Sequence, residues 1–193
     1  MERRKIEKGQ VDDLVLLSEL SEEAIVDNLQ NTTKVDRIYT WIGPVLVSVN
    51  PFRQISGLYS PNLVSKYRGR YTWELAPHVY AVAEDAYRAL MSSHIDQCVL
   101  ISGESGAGKT EAAKKVMEFV AAVSPAAAAA DMSIKDRLLQ SNPVLEAFGN
   151  AKTTRNDNSS RFGKYMVMIF DYHGRPRGGR ITNYLLEKPL ARR

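Results

Sequence analysis

The sequence predicts an α/β fold, a mixed central β-sheet flanked by helices, on three observations. The first is the run Gly103-Glu104-Ser105-Gly106-Ala107-Gly108-Lys109-Thr110, whose spacing is that of a phosphate-binding loop closing onto a helix. The second is what flanks it. Gln97 to Ser102 is short and almost wholly apolar, as a strand covered on both faces is, and it places Cys98 as a small buried hydrophobe. Glu111 to Val123 sets Ala112, Ala113, Val116, Phe119, Val120 and Val123 on one helical face. The third is a set of β-branched and aromatic runs at Tyr39 to Asn50, Tyr165 to Phe170 and Ile181 to Leu186. Strand, glycine loop and helix in that order make a P-loop nucleotide-binding core.

Composition sets the outer bounds. With 193 residues, 44% of them hydrophobic and 25% charged, the chain has the balance of one soluble globular body. Met1 to Lys8 is charged with no apolar segment behind it, so it does not read as a secretory signal. A single cysteine implies no disulfide framework, and a reducing cytoplasmic setting follows. The net charge of +4 is modest, its excess lying at the two ends and at Arg175, Arg177 and Arg180; such a patch attracts nucleic acid, an anionic membrane or an acidic partner, and here it reads first as solvated loops.

Taken in order, residues 1 to 10 form a loose arm and Val15-Leu16-Leu17 docks a short segment. Ser21 caps a helix whose first turn holds Glu22 and Glu23 and whose buried face carries Ile25 and Leu29. Tyr39 to Asn50 gives two strands turning at Gly43-Pro44, ended by Pro51, and a loop runs on to Tyr59. Pro77 opens a helix to about Met91, with Val79, Val82, Ala83, Ala86 and Leu90 as its stripe. His78 and His94, at the ends of that helix, read as solvated side chains. Ala126 to Ala130 is a surface connection, Ser133 caps a helix through Leu139, and Asn142-Pro143 starts a short one ending at Gly149-Asn150. The polar residues 151 to 163 make a loop, and a long hairpin follows across Asp171 to Gly179.

The chemistry rests on the glycine loop. Its glycines let successive N–H groups point inward, and the helix start adds partial positive charge, a cradle for polyphosphate. Lys109 reaches the β and γ phosphates and the Thr110 hydroxyl holds Mg²⁺. The same residues also fit a bare glycine turn at a helix start. The polar loop offers a second set of groups, with serine hydroxyls for the metal, asparagine amides for phosphate oxygens and Arg161 as a fixed cation; taken alone it is equally a solvated connection.

Three runs together resemble the myosin motor domain: Gly103 to Thr110, Gln140 to Lys152 as Gln-Ser-Asn-Pro-Val-Leu-Glu-Ala-Phe-Gly-Asn-Ala-Lys, and Asn156 to Lys164 as Asn-Asp-Asn-Ser-Ser-Arg-Phe-Gly-Lys. The third is far more specific than the first, which many NTPases share. The motor pattern begins almost at Met1, and with Ile42-Gly43-Pro44-Val45-Leu46 it resembles class I, the single-headed membrane-associated kind. The resemblance implies a flexible arm over 1–10, the amino-terminal part of the motor domain over 11–188, and a divergent tail over 189–193. Within the motor part it implies the P-loop at 103–110, a first switch loop at 156–164 and a β-hairpin at 164–187.

Roles follow from the resemblance. Asn50, Pro51, Phe52 and Tyr59 line the adenine pocket, with one residue more than usual between Phe52 and Tyr59. Gly103, Glu104, Ser105, Gly106, Ala107, Gly108, Lys109, Thr110 and Glu111 hold the phosphates together with Asn156, Ser159 and Ser160. Thr110 and Ser160 bind Mg²⁺, and Lys109, Ser159 and Arg161 serve catalysis, Arg161 by a salt bridge to a second-switch glutamate.

The chain departs from the pattern too. The second-switch signature Asp-Ile-x-Gly-Phe-Glu is missing, and Pro189 to Arg193 replaces the usual Ser-Arg-Val after Leu185-Leu186-Glu187-Lys188. The expected core is therefore incomplete relative to a full head, with a gap in its sheet and no efficient hydrolysis. F-actin, calmodulin-type light chains and anionic membrane at the cell cortex enter as partners of the parent motor through regions outside these residues. Rival readings are a nucleotide-binding module without turnover, a regulatory fragment acting by protein contact, and a different P-loop enzyme such as a kinase, with Asp171 as its metal-holding acid.

Overall fold

The computed structural model describes residues 10–125, 144, 146–154 and 157–185. It mixes helices and strands and divides into two units, Met1–Leu100 and Ile101–Arg193. Residues 1–9 of the arm expected at 1–10, the Ala126–Ala130 connection, the Ser133 helix, Asn156 and the tail lie outside the described residues.

The first unit opens on a 3₁₀ turn at Leu14–Leu16, capped by Asp13. Leu14 is the residue that docks, at 2% exposure, while Val15 and Leu16 face outward, because one tight turn can direct only one of three adjacent side chains into the core. Helix α1 spans Glu22–Lys34, and the Ser21 hydroxyl accepts from the Ala24 N–H at 3.2 Å, as its sequence position implies. Its most buried residues are not Ile25 and Leu29, which are half-buried, but the polar Asn28 and Thr32. Asn28 exchanges two hydrogen bonds with the Val11 backbone, at 2.8 and 3.4 Å, so an amide side chain stands in for a strand neighbour.

Strands β1 (Tyr39–Ile42) and β2 (Val45–Ser48) form the antiparallel hairpin at Gly43-Pro44. Just beyond the loop that ends at Tyr59, the Ser60-Pro61 pair starts helix α2 (Pro61–Tyr67), because proline is pre-set for a first helical turn. Helix α3 runs Val79–Ser93 and buries Val79, Tyr80, Ala81, Ala83 and Glu84.

In the second unit, helix α4 (Lys109–Val123) buries Met117, Phe119, Val120 and Val123. Residues 146–149 are helical and give way to β3 (Asn150–Ala151), which pairs with β4 (Ser159–Ser160). The hairpin β5 (Phe162–Phe170) and β6 (Pro176–Leu185) is longer in its strands and tighter in its turn than its sequence suggests. Asp171 explains this: one carboxylate oxygen accepts from the His173 and Arg175 N–H groups, both at 2.9 Å, folding five residues into the turn.

The expected strand before the glycine loop does not form. Residues 97–102 form no strand, Cys98 is exposed and Leu100 is 88% exposed. An apolar run becomes a strand only where neighbours take up its N–H and C=O groups, and among the described residues no strand pairs with it. The described strands accordingly form three separate antiparallel pairs, and the one parallel link is the isolated bridge between Asp13 and Trp41.

Candidate functional site

The glycine loop has the geometry its spacing requires. Gly103, Gly106 and Gly108 have φ of +156°, +82° and +93°, values that side chains disfavour. A Cβ at Gly103 would sit 3.2 Å from the Ala107 Cβ, so the curl also depends on the absence of a side chain there. Gly108 directly precedes α4, and no side chain caps that helix start, whereas Ser21 and His78 cap α1 and α3. Uncapped N–H groups at a helix start attract an anion.

Lys109 folds over the loop, donating from Nζ to the Gly103 carbonyl at 2.7 Å and to the Glu104 carbonyl at 2.8 Å. The Ala107 N–H closes the turn on the Glu104 carbonyl at 3.2 Å. Thr110 follows in the first turn, half-buried. The Glu111 carboxylate is turned away to Lys114, at 2.8 Å.

Ser159 brings the polar loop to the glycine loop. Its side chain is buried, at 2% exposure, and its Oγ lies 2.6 Å from Ser105 Oγ and 2.8 Å from Thr153 Oγ1. Three hydroxyls thus run from half-buried Thr153 through buried Ser159 to the exposed loop residue Ser105. Backbone pairing fixes Ser159: it stands opposite Ala151, Ser160 stands opposite Asn150, and the Arg161 N–H donates to the Gly149 carbonyl at 2.9 Å. Gly149 is required, because a Cβ there would lie 2.4 Å from the Phe162 ring. Since neighbours on a strand face opposite ways, Ser160 is exposed where Ser159 is buried.

This donor set fits a magnesium polyphosphate. No group of three or more His, Cys, Asp or Glu able to hold a metal occurs among the described residues. The hydroxyls of Thr110 and Ser160 are hard oxygen donors of the kind Mg²⁺ accepts beside phosphate oxygens, and Lys109 and the helix start match the anion. Asp171, by contrast, is committed to its turn. Hydrogen bonding from Arg175 first, and then from His173, with the Arg177 guanidinium at 3.1 Å, holds its carboxyl below the usual range.

The residues expected at a base pocket lie in the first unit. Asn50 Oδ1 accepts from the Phe52 N–H at 2.9 Å, Pro51 is half-buried, and Phe52 is 84% exposed with φ of +51°. Tyr59 belongs to an aromatic cluster. Its hydroxyl lies 2.7 Å from that of Tyr39, and its ring stands edge-on to His78 and Tyr80 at 5.7 and 6.1 Å.

His78 overturns its sequence reading. It is buried at 3% exposure, not solvated: the ring stacks on Tyr67 at 5.0 Å and meets Tyr39 at 5.1 Å and Tyr80 at 4.5 Å. Nδ1 accepts from the Tyr80 N–H at 3.0 Å, which leaves Nε2–H to donate to the Leu58 carbonyl at 2.9 Å. Burial pushes its pKa down to about 4 and raises that of the Tyr39 phenol. No signal local to Pro77-His78 marks this burial, because the ring partners Tyr39, Tyr59 and Tyr67 are distant in sequence.

The comparison with known proteins now decides the family. The model for the myosin head (motor domain) matches residues 11–191. The chain belongs to the myosin head family. It is 59% identical over 179 residues to the myosin ID heavy chain of Dictyostelium discoideum, covering 92% of this chain and 16% of that relative. It is 58% identical to the myosin IC heavy chain of Acanthamoeba castellanii, covering 94% of this chain and 15% of the relative. Unconventional myosin-Ib of Mus musculus is 58% identical, with 92% and 16% covered. The chain is thus a class I-like myosin motor-domain sequence, and it spans about a sixth of the length of these relatives. No helix among the described residues is long and apolar enough to cross a membrane.

Proposed function

We propose that this chain is the ATP-binding portion of an actin-based motor, and that the glycine loop and β4 form one Mg-ATP phosphate site. The observation that carries the reading is the 2.6 Å contact between Ser105 and Ser159, which joins two stretches 54 residues apart that the site needs together. The membership in the myosin head family supports the nucleotide.

In this reading the N–H groups from Gly106 to Thr110 receive the phosphates. Lys109 Nζ exchanges its two carbonyl partners for β and γ oxygens, a stronger charge-assisted pairing. The hydroxyls of Thr110 and Ser160 serve the metal, and Mg²⁺, when bound, neutralises phosphate charge. Ser159 orients the γ-phosphate side through its hydroxyl chain, Arg161 supplies a cation held by the β3–β4 pairing, and Asn156 adds an amide. Asn50, Pro51, Phe52 and Tyr59 receive the base.

The wider assignments are proposals about the whole protein. They are a P-loop NTPase core with a mixed central sheet, Mg-ATP hydrolysis coupled to movement on F-actin, and action at the actin cytoskeleton of the cell cortex. The parent's light chains and membrane contacts belong to the same proposal. The chain itself supplies binding, so calorimetric titration with Mg-ATP is the test. Lys109→Ala is expected to weaken binding about a hundredfold, given the charged hydrogen bonds it removes. Equal affinity in both forms would overturn the site.

A further inference from the structure

The turn that carries Tyr59 is held by a side chain outside every stretch assigned to the nucleotide. His78 spans two elements with its two ring nitrogens: Nδ1 takes the Tyr80 N–H at the start of α3, and Nε2–H holds the Leu58 carbonyl, at 3.0 and 2.9 Å. The turn's own backbone bonds include a 3.4 Å contact from the Leu58 N–H to the Ile55 carbonyl and a 3.1 Å bond from the Ser60 N–H to the Gly57 carbonyl. Around the ring stand Tyr39 from β1, Tyr67 from α2 and Tyr80 from α3, and the Tyr80 hydroxyl reaches the Tyr59 carbonyl at 3.5 Å. Asp36 and Arg37, at the rim of the adjoining cleft of about 250 Å³, are engaged with Arg53 and Asp12 rather than with the imidazole. The donor and acceptor roles of the two nitrogens are therefore fixed, and so is the backbone on either side of Tyr59.

We propose that His78 is a positioning residue for base recognition, clamping the Leu58–Tyr59 turn to the start of α3 so that Tyr59 presents one fixed ring face to the nucleobase. This rests on the reading of Tyr59 as part of the base pocket, and it deepens that reading by naming what sets the affinity for the base as distinct from the phosphates. A clamp of this kind changes selectivity between ligands that share phosphates and differ in the base. A residue needed only for folding changes both alike.

Two substitutions separate the roles of the two nitrogens. Asn in His78→Asn places an acceptor where Nδ1 was and keeps the cap on α3, but it cannot reach Leu58. Gln in His78→Gln places a donor where Nε2 was and restores the bond to Leu58. Both lose the ring, so lost packing is common to the pair. The experiment measures affinities of the full chain for Mg-ATP and for Mg-tripolyphosphate, with hydrogen exchange of residues 55–60 as a second readout. His78→Asn is expected to weaken Mg-ATP about tenfold with tripolyphosphate within about twofold, and to speed exchange in the turn; His78→Gln restores both. Equal loss for both ligands, or unchanged exchange in His78→Asn, overturns the clamp. Wild type binding tripolyphosphate as tightly as ATP overturns the base pocket and the clamp while the phosphate site stands. Binding of neither ligand overturns the phosphate site with them.

Discussion

The aromatic cluster around His78 and the hydroxyl chain around Ser159 both hold a loop in place, and they do so by opposite means. In the first unit a buried ring has both nitrogens engaged and four tyrosines about it, so moving the loop would strand polar atoms in an apolar surround. In the second unit the hydroxyl pair of Ser105 and Ser159 links the stretches, and its outer member is exposed. Such a bond exchanges for water or a phosphate oxygen at little cost. On the proposed assignments, the turn that carries Tyr59 is built in advance, while the glycine loop trades its own contacts for those of its ligand.

Breaking the first region has the largest expected effect on stability. His78 has an ordinary pKa of 6.5 and about 4 in the fold, so the unfolded chain binds its proton first as pH falls. The stabilisation is complete above that ordinary value and is lost as pH drops through it toward about 4, by about 3 kcal/mol in all. Urea unfolding over that range measures it, and His78→Gln is expected to flatten the profile. Burial raises the Glu84 carboxyl, which works in the opposite sense by costing stability as pH rises. Its Oε2 is buried without a partner while Oε1 accepts from the Gly69 N–H, so Glu84→Gln is expected to be neutral or slightly stabilising near neutral pH.

The second region yields a smaller loss. Gly149→Ala forces a Cβ against the Phe162 ring and is expected to cost about 2 kcal/mol, read as a lower urea midpoint at unchanged slope. Ser159→Ala removes the middle hydroxyl of the chain and is expected to cost about 1 kcal/mol of stability. Ser105→Ala, at an exposed position, is expected to change stability by less than about 0.5 kcal/mol while still weakening Mg-ATP. A Ser105→Ala loss as large as that of Ser159→Ala would mean that the loop is held as rigidly as the aromatic cluster, and the contrast would fail.

What the sequence made legible tracks how local the cause is. Ser21 as a cap, the glycine loop running into α4 and the Gly43-Pro44 hairpin depend on residues a few positions apart, and they stand where the sequence puts them. Residues 97–102 depend on neighbouring strands, and without such partners among the described residues an apolar run is simply extended chain. His78 depends on Tyr39, Tyr59 and Tyr67, up to 39 residues away, so a helix-end position said nothing of its burial. For the candidate site, motif and resemblance named Ser105 and Ser159 separately; that their hydroxyls meet required coordinates.

Hydrogen exchange with and without Mg-ATP tests most directly whether the loop and β4 act as one phosphate site. The account predicts that nucleotide slows exchange together in residues 103–110 and 157–161, and that Lys109→Ala abolishes both effects. Protection confined to the glycine loop, with residues 157–161 unchanged, would contradict it.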